Sequence, residues 1–148
     1  MNNNKIIAVD FDGTIVEDAY PEIGKVKLFA FDTLKKLQSK GYRLILWTYR
    51  YGRRLNEAVE FCRQNGVEFY AANNSFEGET FDPAAQSRKI HADYFIDDRN
   101  LGGFPGWGEI YEIIKYKIEF DIEGKEVIPY SKRKSQKKEG FFSRLFGK

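Results

Sequence analysis

Two aspartates, Asp10 and Asp12, follow the apolar run Ile6–Val9 and precede a Gly-Thr turn. Residues two apart in an extended chain point to the same side, so their carboxylates can converge at the carboxyl end of a strand. Two carboxylates placed there can hold a divalent cation and can divide the roles of nucleophile and proton donor between them. Asp and Gly are also common turn residues, so a plain acidic turn is the alternative.

A second carboxylate pair, Asp97-Asp98, ends the apolar run that begins at Ala92. In the common doubly wound strand order, the strands that carry the two pairs are neighbours. Four carboxylates at one sheet edge repel one another unless a cation lies among them. The two pairs therefore predict a divalent-cation site, with helix capping as the alternative for Asp97 and Asp98.

Polar and basic side chains are predicted near the same edge. Thr48 ends the second predicted strand, where its hydroxyl and backbone N–H can bind an anion, and Arg50 can add a bidentate fork. Lys89 lies eight residues before Asp97, in a segment that can return to this edge. A helix N-cap for Thr48 and solvated charges for Arg50 and Lys89 are the ordinary alternatives.

A polar, irregular segment covers residues 72–88, after the third predicted strand. Because it starts at a strand end, we expect it to lie at the same edge of the sheet and to form a partial lid over the candidate site. Asn73 and Asn74 open the segment and are its candidate substrate contacts. An ordinary surface loop is the equal alternative.

Strand-like and helix-like patterns alternate along the chain, which predicts βαβ units and a parallel sheet. Strands are predicted over residues 5–10, 42–48, 67–71 and 92–97, and helices over 25–40, 53–65 and 107–117. These elements predict one α/β domain over residues 1–117 with a central, mostly parallel sheet. Residues 118–130 form an uncertain extension, read either as a β-hairpin or as a continued helix.

Composition is that of a single globular domain of 148 residues. The single cysteine, Cys62, excludes an internal disulfide and fits a reducing compartment. The start of the sequence lacks the apolar core of a signal peptide, and no apolar run approaches the length of a membrane span. We expect a cytoplasmic protein.

The segment 131–148 differs from the rest of the chain, because it holds seven Lys or Arg residues and one Glu. We expect it to be disordered, and its basic and aromatic residues suit contact with an anionic membrane surface or a protein partner. The preceding residues are mildly acidic and show no clear nucleic-acid site.

These residues resemble the four motifs of the haloacid dehalogenase-like (HAD) superfamily. The matching elements are the Asp10-Phe-Asp-Gly-Thr run, the strand ending at Thr48, Lys89 and Asp97-Asp98, in that order within residues 5–98. Residues 118–148 lie outside the resemblance. It implies a three-layer Rossmann-like fold and phosphoryl transfer.

The resemblance implies a role for each matching residue. Asp10 would be the nucleophile that forms an aspartyl-phosphate, and Asp12 would be the general acid and base. Thr48 and Lys89 would bind the phosphoryl oxygens. Dehalogenase members have no acid/base aspartate at the position of Asp12, so its presence favours phosphoryl transfer.

The resemblance also implies Mg²⁺ as the cofactor. The ion would be held by Asp10, the backbone carbonyl of Asp12 and Asp97, with waters completing an octahedron. Asp98 would orient a bound water or Lys89.

Superfamily members often carry a cap domain inserted between these motifs. Here 36 positions separate Asp12 from Thr48, and 49 separate Thr48 from Asp97, too few for a folded cap beside the core elements. We therefore expect a capless Mg²⁺-dependent phosphatase that hydrolyses a phosphate monoester, with an open site or one covered in a homo-oligomer. A phosphotransferase with the same intermediate and a non-catalytic phosphate-binding or partner-docking module are the alternatives.

Overall fold

The computed structural model describes residues 4–123, with side chains described as far as residue 116. The elements, in chain order, are β1 (Ile6–Val9), α1 (Ala30–Ser39), β2 (Arg43–Leu46), α2 (Gly52–Gln64), β3 (Ala71–Ala72), β4 (Tyr94–Ile96) and α3 (Trp107–Glu123). The chain divides into two compact units after Gly108. The first unit holds the whole sheet and all the candidate site residues.

The four strands form one parallel sheet in the order β3-β2-β1-β4. Within it, Val9 pairs with Leu46 on one side and with Ile96 on the other. This is the order of the first strands of a doubly wound sheet, so the predicted Rossmann-like α/β fold is confirmed. Because all strands run the same way, their carboxyl ends meet at a single edge.

One face of the sheet is covered by a segment without a helix. Ala8, Ile45 and Ala71 are register partners on adjacent strands, and Ile90 packs against them. Ile90 belongs to the connection between β3 and β4, so apolar burial fixes this part of the connection against the sheet.

Helices α1 and α2 pack against each other through aromatic rings. The centroid of Phe61 in α2 lies 6.0 Å from that of Phe31 in α1 and 6.2 Å from that of Phe11, which follows β1. Cys62 in α2 is fully buried, and burial raises the pKa of its thiol to about 12. It therefore packs as a small apolar residue rather than acting as a nucleophile.

A hairpin-like loop, residues 16–26, lies between β1 and α1. Val16 bridges to Val26, and the backbone N–H of Glu17 donates to the carbonyl of Lys25. The Tyr20-Pro21 peptide bond at its tip is cis. Neither this loop nor residues 73–93 form a separate folded domain, so the predicted absence of a cap between the strands is confirmed.

Three predicted elements differ from the structure. The first helix begins at Ala30 rather than at residue 25, because the preceding residues pair with the chain after β1, as when Lys27 donates to the carbonyl of Ile15. The third strand is reduced to Ala71–Ala72. Of the two alternatives for residues 118–122, the hairpin is wrong, since α3 continues to Glu123.

The extension beyond Glu123 and the basic segment 131–148 lie outside the described residues. Within residues 4–123, no helix is long and apolar enough to cross a membrane.

Replacing Ile90 by alanine tests the packing of the helix-free connection. Ile90 is 6% exposed, so the variant should lose about 2–4 kcal/mol of unfolding free energy through lost burial and the cavity left behind. The adjacent, exposed Lys89→Ala should change it by less than about 0.5 kcal/mol. Urea unfolding measures both, and equal costs for the two variants would contradict the packing.

Candidate functional site

The candidate site lies where the four parallel strands end. Asp10 directly follows β1, Asn73 directly follows β3 and Asp97 directly follows β4, while Thr48 comes two residues after β2. Ligands of open parallel sheets bind at this edge. The sheet therefore brings together the residues that the sequence predicted at its carboxyl ends.

Three carboxylates cluster at the ends of β1 and β4. Oxygens of Asp10, Asp97 and Asp98 lie within 4.8 Å of one another. The backbone N–H of Asp10 donates to the carbonyl of Ile96 at 2.9 Å, which fixes the two strand ends side by side. The predicted meeting of the two acidic pairs is thus seen for three of the four carboxylates.

Thr14 orients two members of this acidic cluster. Its hydroxyl donates to Oδ2 of Asp10 at 2.7 Å and accepts the backbone N–H of Asp98 at 3.0 Å. Thr14 is fully buried, and its carbonyl accepts the indole N–H of Trp107 at 2.9 Å. Sequence reasoning gave Thr14 no role of its own, although its place just after the two aspartates was the available signal.

Gly13 allows the close approach of the first turn to the end of β4. Its φ of 86° lies in the left-handed region, and a Cβ at this position would overlap the carboxylate of Asp98. Glycine is therefore required here for both backbone and steric reasons.

The crowding changes the ionisation of Asp10. Burial is the main cause that raises its pKa to about 7, against the lowering effect of the Thr14 hydrogen bond. The negative charges of Asp97 and Asp98 raise the pKa further, while a backbone hydrogen bond at Phe11 lowers it. A divalent cation among these oxygens would favour the ionised carboxylate and so lower the pKa of Asp10.

Asp12 faces a different partner. Arg50 donates to it from Nε and Nη2, each at 2.7 Å, in a bidentate pair. The Arg50 side chain is fully buried, whereas that of Asp12 is 15% exposed. The prediction that Arg50 offers its fork to a substrate anion is therefore corrected, because the carboxylate of Asp12 occupies the fork.

The remaining side-chain hydrogen bonds of Arg50 go to the 16–26 loop. Nη1 donates to the carbonyl of Pro21 at 3.1 Å, and Nη2 donates to that of Glu22 at 2.7 Å. The guanidinium carbon also lies 5.0 Å from the ring centroid of Phe11 and 5.3 Å from that of Tyr20. These contacts compensate the cost of burying the charge.

Comparison with known proteins adds one relative. No protein-family model and no curated protein matches the sequence. A solved structure of a conserved protein from Bacteroides thetaiotaomicron is 57% identical, with a TM-score of 0.73, and the match covers 78% of this chain and 93% of that one. The chain belongs to the family of this Bacteroides protein.

Asn73 joins the ends of β2 and β3. Its side chain accepts the backbone N–H of Thr48 at 2.8 Å and donates to the carbonyl of Arg50 at 2.8 Å. The Thr48 N–H predicted to bind an anion is thus already used, and the Thr48 hydroxyl accepts the Arg50 N–H at 3.2 Å. Asn73 organises the loop after β2, while Asn74 beside it is half-buried.

Lys89 does not join the acidic cluster. It is exposed, and its ammonium lies 5.7 Å from the ring centroid of Phe95. No carboxylate of the described residues lies within the 4.0 Å ion-pair distance of Lys89. Lys89 therefore lies beside Phe95 rather than among the carboxylates, and its binding of a phosphoryl group stays a prediction.

The raised pKa of Asp10 predicts a pH-dependent cost to the metal-free fold. The pKa of Asp10 in the folded chain exceeds the ordinary value of 3.8, so protonation of Asp10 favours the folded state. This contribution to the free energy of unfolding is fully present below pH 3.8 and is lost as pH rises through about 7. With a chelator present, Asp10→Asn should be more stable than the natural chain. The difference in unfolding free energy between Asp10→Asn and the natural chain should grow by about 1–2 kcal/mol between pH 5 and pH 8, after allowance for solvent screening.

Urea unfolding at both pH values measures this advantage. Asp32→Asn, an isosteric change at an exposed position of α1, is the matched control and should show no such widening. An Asp10→Asn advantage that stays constant with pH would contradict the raised pKa.

Proposed function

We propose that this protein is a Mg²⁺-dependent phosphatase of the HAD-like type, which hydrolyses a phosphate monoester through an aspartyl-phosphate on Asp10. The observation that carries the proposal is the partly buried carboxylate of Asp10, held by Thr14 beside Asp97 and Asp98 at the carboxyl edge of a parallel sheet. Asp12, two residues on, lies outside that cluster, and we assign it the separate role of general acid and base.

The donor set of the acidic cluster fits Mg²⁺. Asp10, Asp97 and Asp98 offer only carboxylate oxygens, which hard divalent cations prefer over the nitrogen and sulfur ligands typical of zinc. Asp10 and Asp97 would hold the ion, with Asp98 beside them. When bound, Mg²⁺ supplies positive charge that draws a phosphate to the cluster and offsets the negative charge of the reacting oxygens.

The protein's own groups account for both half-reactions. In the first, an Asp10 oxygen forms a bond to phosphorus while the ester P–O bond breaks, and the departing oxygen takes a proton from Asp12. In the second, a water oxygen attacks phosphorus and gives a proton to Asp12, and the bond from Asp10 to phosphorus breaks. The products are an alcohol and inorganic phosphate.

Thr48 and Lys89 remain the proposed phosphate-binding residues, and they differ in how far each side chain would have to move to bind a phosphate. The Thr48 hydroxyl accepts from Arg50 and keeps its own proton to donate to a phosphoryl oxygen. Lys89 would have to leave the ring of Phe95, which its exposed and flexible stem allows. Thr48 is thus preorganised, whereas Lys89 would be recruited by the substrate.

Turnover of simple phosphate esters tests the proposal. The purified chain should release phosphate from p-nitrophenyl phosphate and from alkyl phosphates with Mg²⁺, and a chelator should abolish the release. Asp10→Asn and Asp10→Ala should lower kcat by about a thousandfold or more, because the nucleophile is lost. Asp32→Asn is the control and should retain activity.

The products distinguish the alternatives. Phosphate that appears on an added alcohol instead of in water would favour a phosphotransferase. Mg²⁺ binding by calorimetry without turnover across a panel of sugar phosphates, nucleotides, phospholipid head groups and polynucleotide ends would favour a non-catalytic phosphate-binding module. Either result would overturn the phosphatase assignment.

A further inference from the structure

We propose that Arg50 is a positioning residue for the reaction, which holds the carboxylate of Asp12 in one orientation and ties that orientation to the 16–26 loop. This inference rests on the proposed function, because it concerns how Asp12 transfers its proton. It replaces the phosphate-binding role that the sequence predicted for Arg50.

The bonding of Arg50 leaves little capacity for a substrate. Four of its five N–H groups are engaged, two with Asp12 and one each with the carbonyls of Pro21 and Glu22. The side chain is fully buried between the rings of Phe11 and Tyr20. A phosphate could reach this guanidinium only after the existing contacts were broken.

The same bonding leaves Asp12 able to react. A carboxylate offers about four lone-pair positions, and the arginine fork uses two of them, one on each oxygen. The Asp12 side chain is 15% exposed, so part of it is open to solvent. Rotation of the carboxylate would break both short bonds at once, and Arg50 therefore fixes its plane while a lone pair on each oxygen stays available to a proton.

Arg50 connects Asp12 with two other parts of the site. Its guanidinium holds the tip of the 16–26 loop through the carbonyls of Pro21 and Glu22, while its backbone N–H donates to Thr48 and its carbonyl accepts from Asn73. The ends of β1, β2 and β3 are thereby joined to the loop. A displacement of the loop tip would consequently disturb the orientation of Asp12.

The leaving group reveals whether Arg50 acts through Asp12. An alkoxide needs a proton as it leaves, whereas p-nitrophenolate is stable enough to leave without one. Loss of the orientation of Asp12 should thus slow the hydrolysis of alkyl phosphates more than that of p-nitrophenyl phosphate. Loss of a phosphate-binding group should slow both substrates alike and raise KM for both.

The experiment compares Arg50→Lys, Asp12→Asn and the double variant on both substrates with Mg²⁺. Arg50→Lys keeps the charge but loses the fork, so kcat for the alkyl phosphate should fall about tenfold more than kcat for p-nitrophenyl phosphate. KM should change by less than about threefold. On the alkyl phosphate, the double variant should be no slower than Asp12→Asn alone, because Arg50 acts through that carboxylate.

Equal losses on the two substrates, a large rise in KM, or independent losses in the double variant would overturn the inference. The natural chain in the same assay tests the proposed function separately, since its failure to turn over either substrate would remove the reaction itself.

If circular dichroism shows that Arg50→Lys does not fold, Tyr20→Leu takes its place. This variant removes the half-exposed ring over Arg50 but none of the four hydrogen bonds, so kcat for the alkyl phosphate should again fall more than kcat for p-nitrophenyl phosphate, by a smaller factor than in Arg50→Lys. Equal losses for that variant would likewise contradict the proposal.

Discussion

Negative charge is concentrated where β1 and β4 end, and much of the local structure serves to keep it there. Asp10, Asp97 and Asp98 bring their oxygens within 4.8 Å of one another. The carboxylates are held close by the hydroxyl of Thr14 and by a turn that only Gly13 permits. Without a cation, protonation of Asp10, whose pKa is raised to about 7, relieves part of the resulting repulsion. An arrangement that is unfavourable by itself is expected where a bound ion supplies the missing charge.

The fourth carboxylate of the edge lies in a contrasting environment. Asp12 has a buried cationic partner in Arg50, whereas in the part of the chain described here no ion pair is made by Asp10, Asp97 or Asp98. Two aspartates separated by one residue thus differ in charge balance and in hydrogen-bond partner. This division corresponds to the two roles that phosphoryl transfer through a carboxylate requires, a nucleophile beside a metal and a proton carrier beside the leaving group.

The edge of the sheet was predictable from the sequence because it depends on local patterns. Apolar runs define the strands, parallel pairing brings their carboxyl ends together, and Asp10 and Asp97 each directly follow a strand. The partner of Arg50 was not predictable in this way, because a long side chain 38 residues from Asp12 can reach several anions. The contacts that decide among them come from the 16–26 loop, and they are backbone carbonyls of Pro21 and Glu22, which leave no trace in a side-chain pattern.

Lys89 shows the same limit. Its spacing before Asp97 is compatible with a return to the edge, but the burial of the next residue, Ile90, fixes this part of the connection on the face of the sheet. The apolar contact places the lysine beside Phe95, and sequence spacing carries no information about that choice. Local order along the chain therefore defines which residues border the site, and tertiary packing decides which of them meet.

Detection of a covalent intermediate would show whether Asp10 is the nucleophile. The natural chain would be mixed with Mg²⁺ and p-nitrophenyl phosphate, quenched in acid within a turnover, and analysed by intact mass and by peptide mapping. We expect an acid-stable adduct with the mass of one phosphoryl group on Asp10, formed only with Mg²⁺. Turnover without an adduct at any quench time, or a phosphoryl group on a residue other than Asp10, would contradict it.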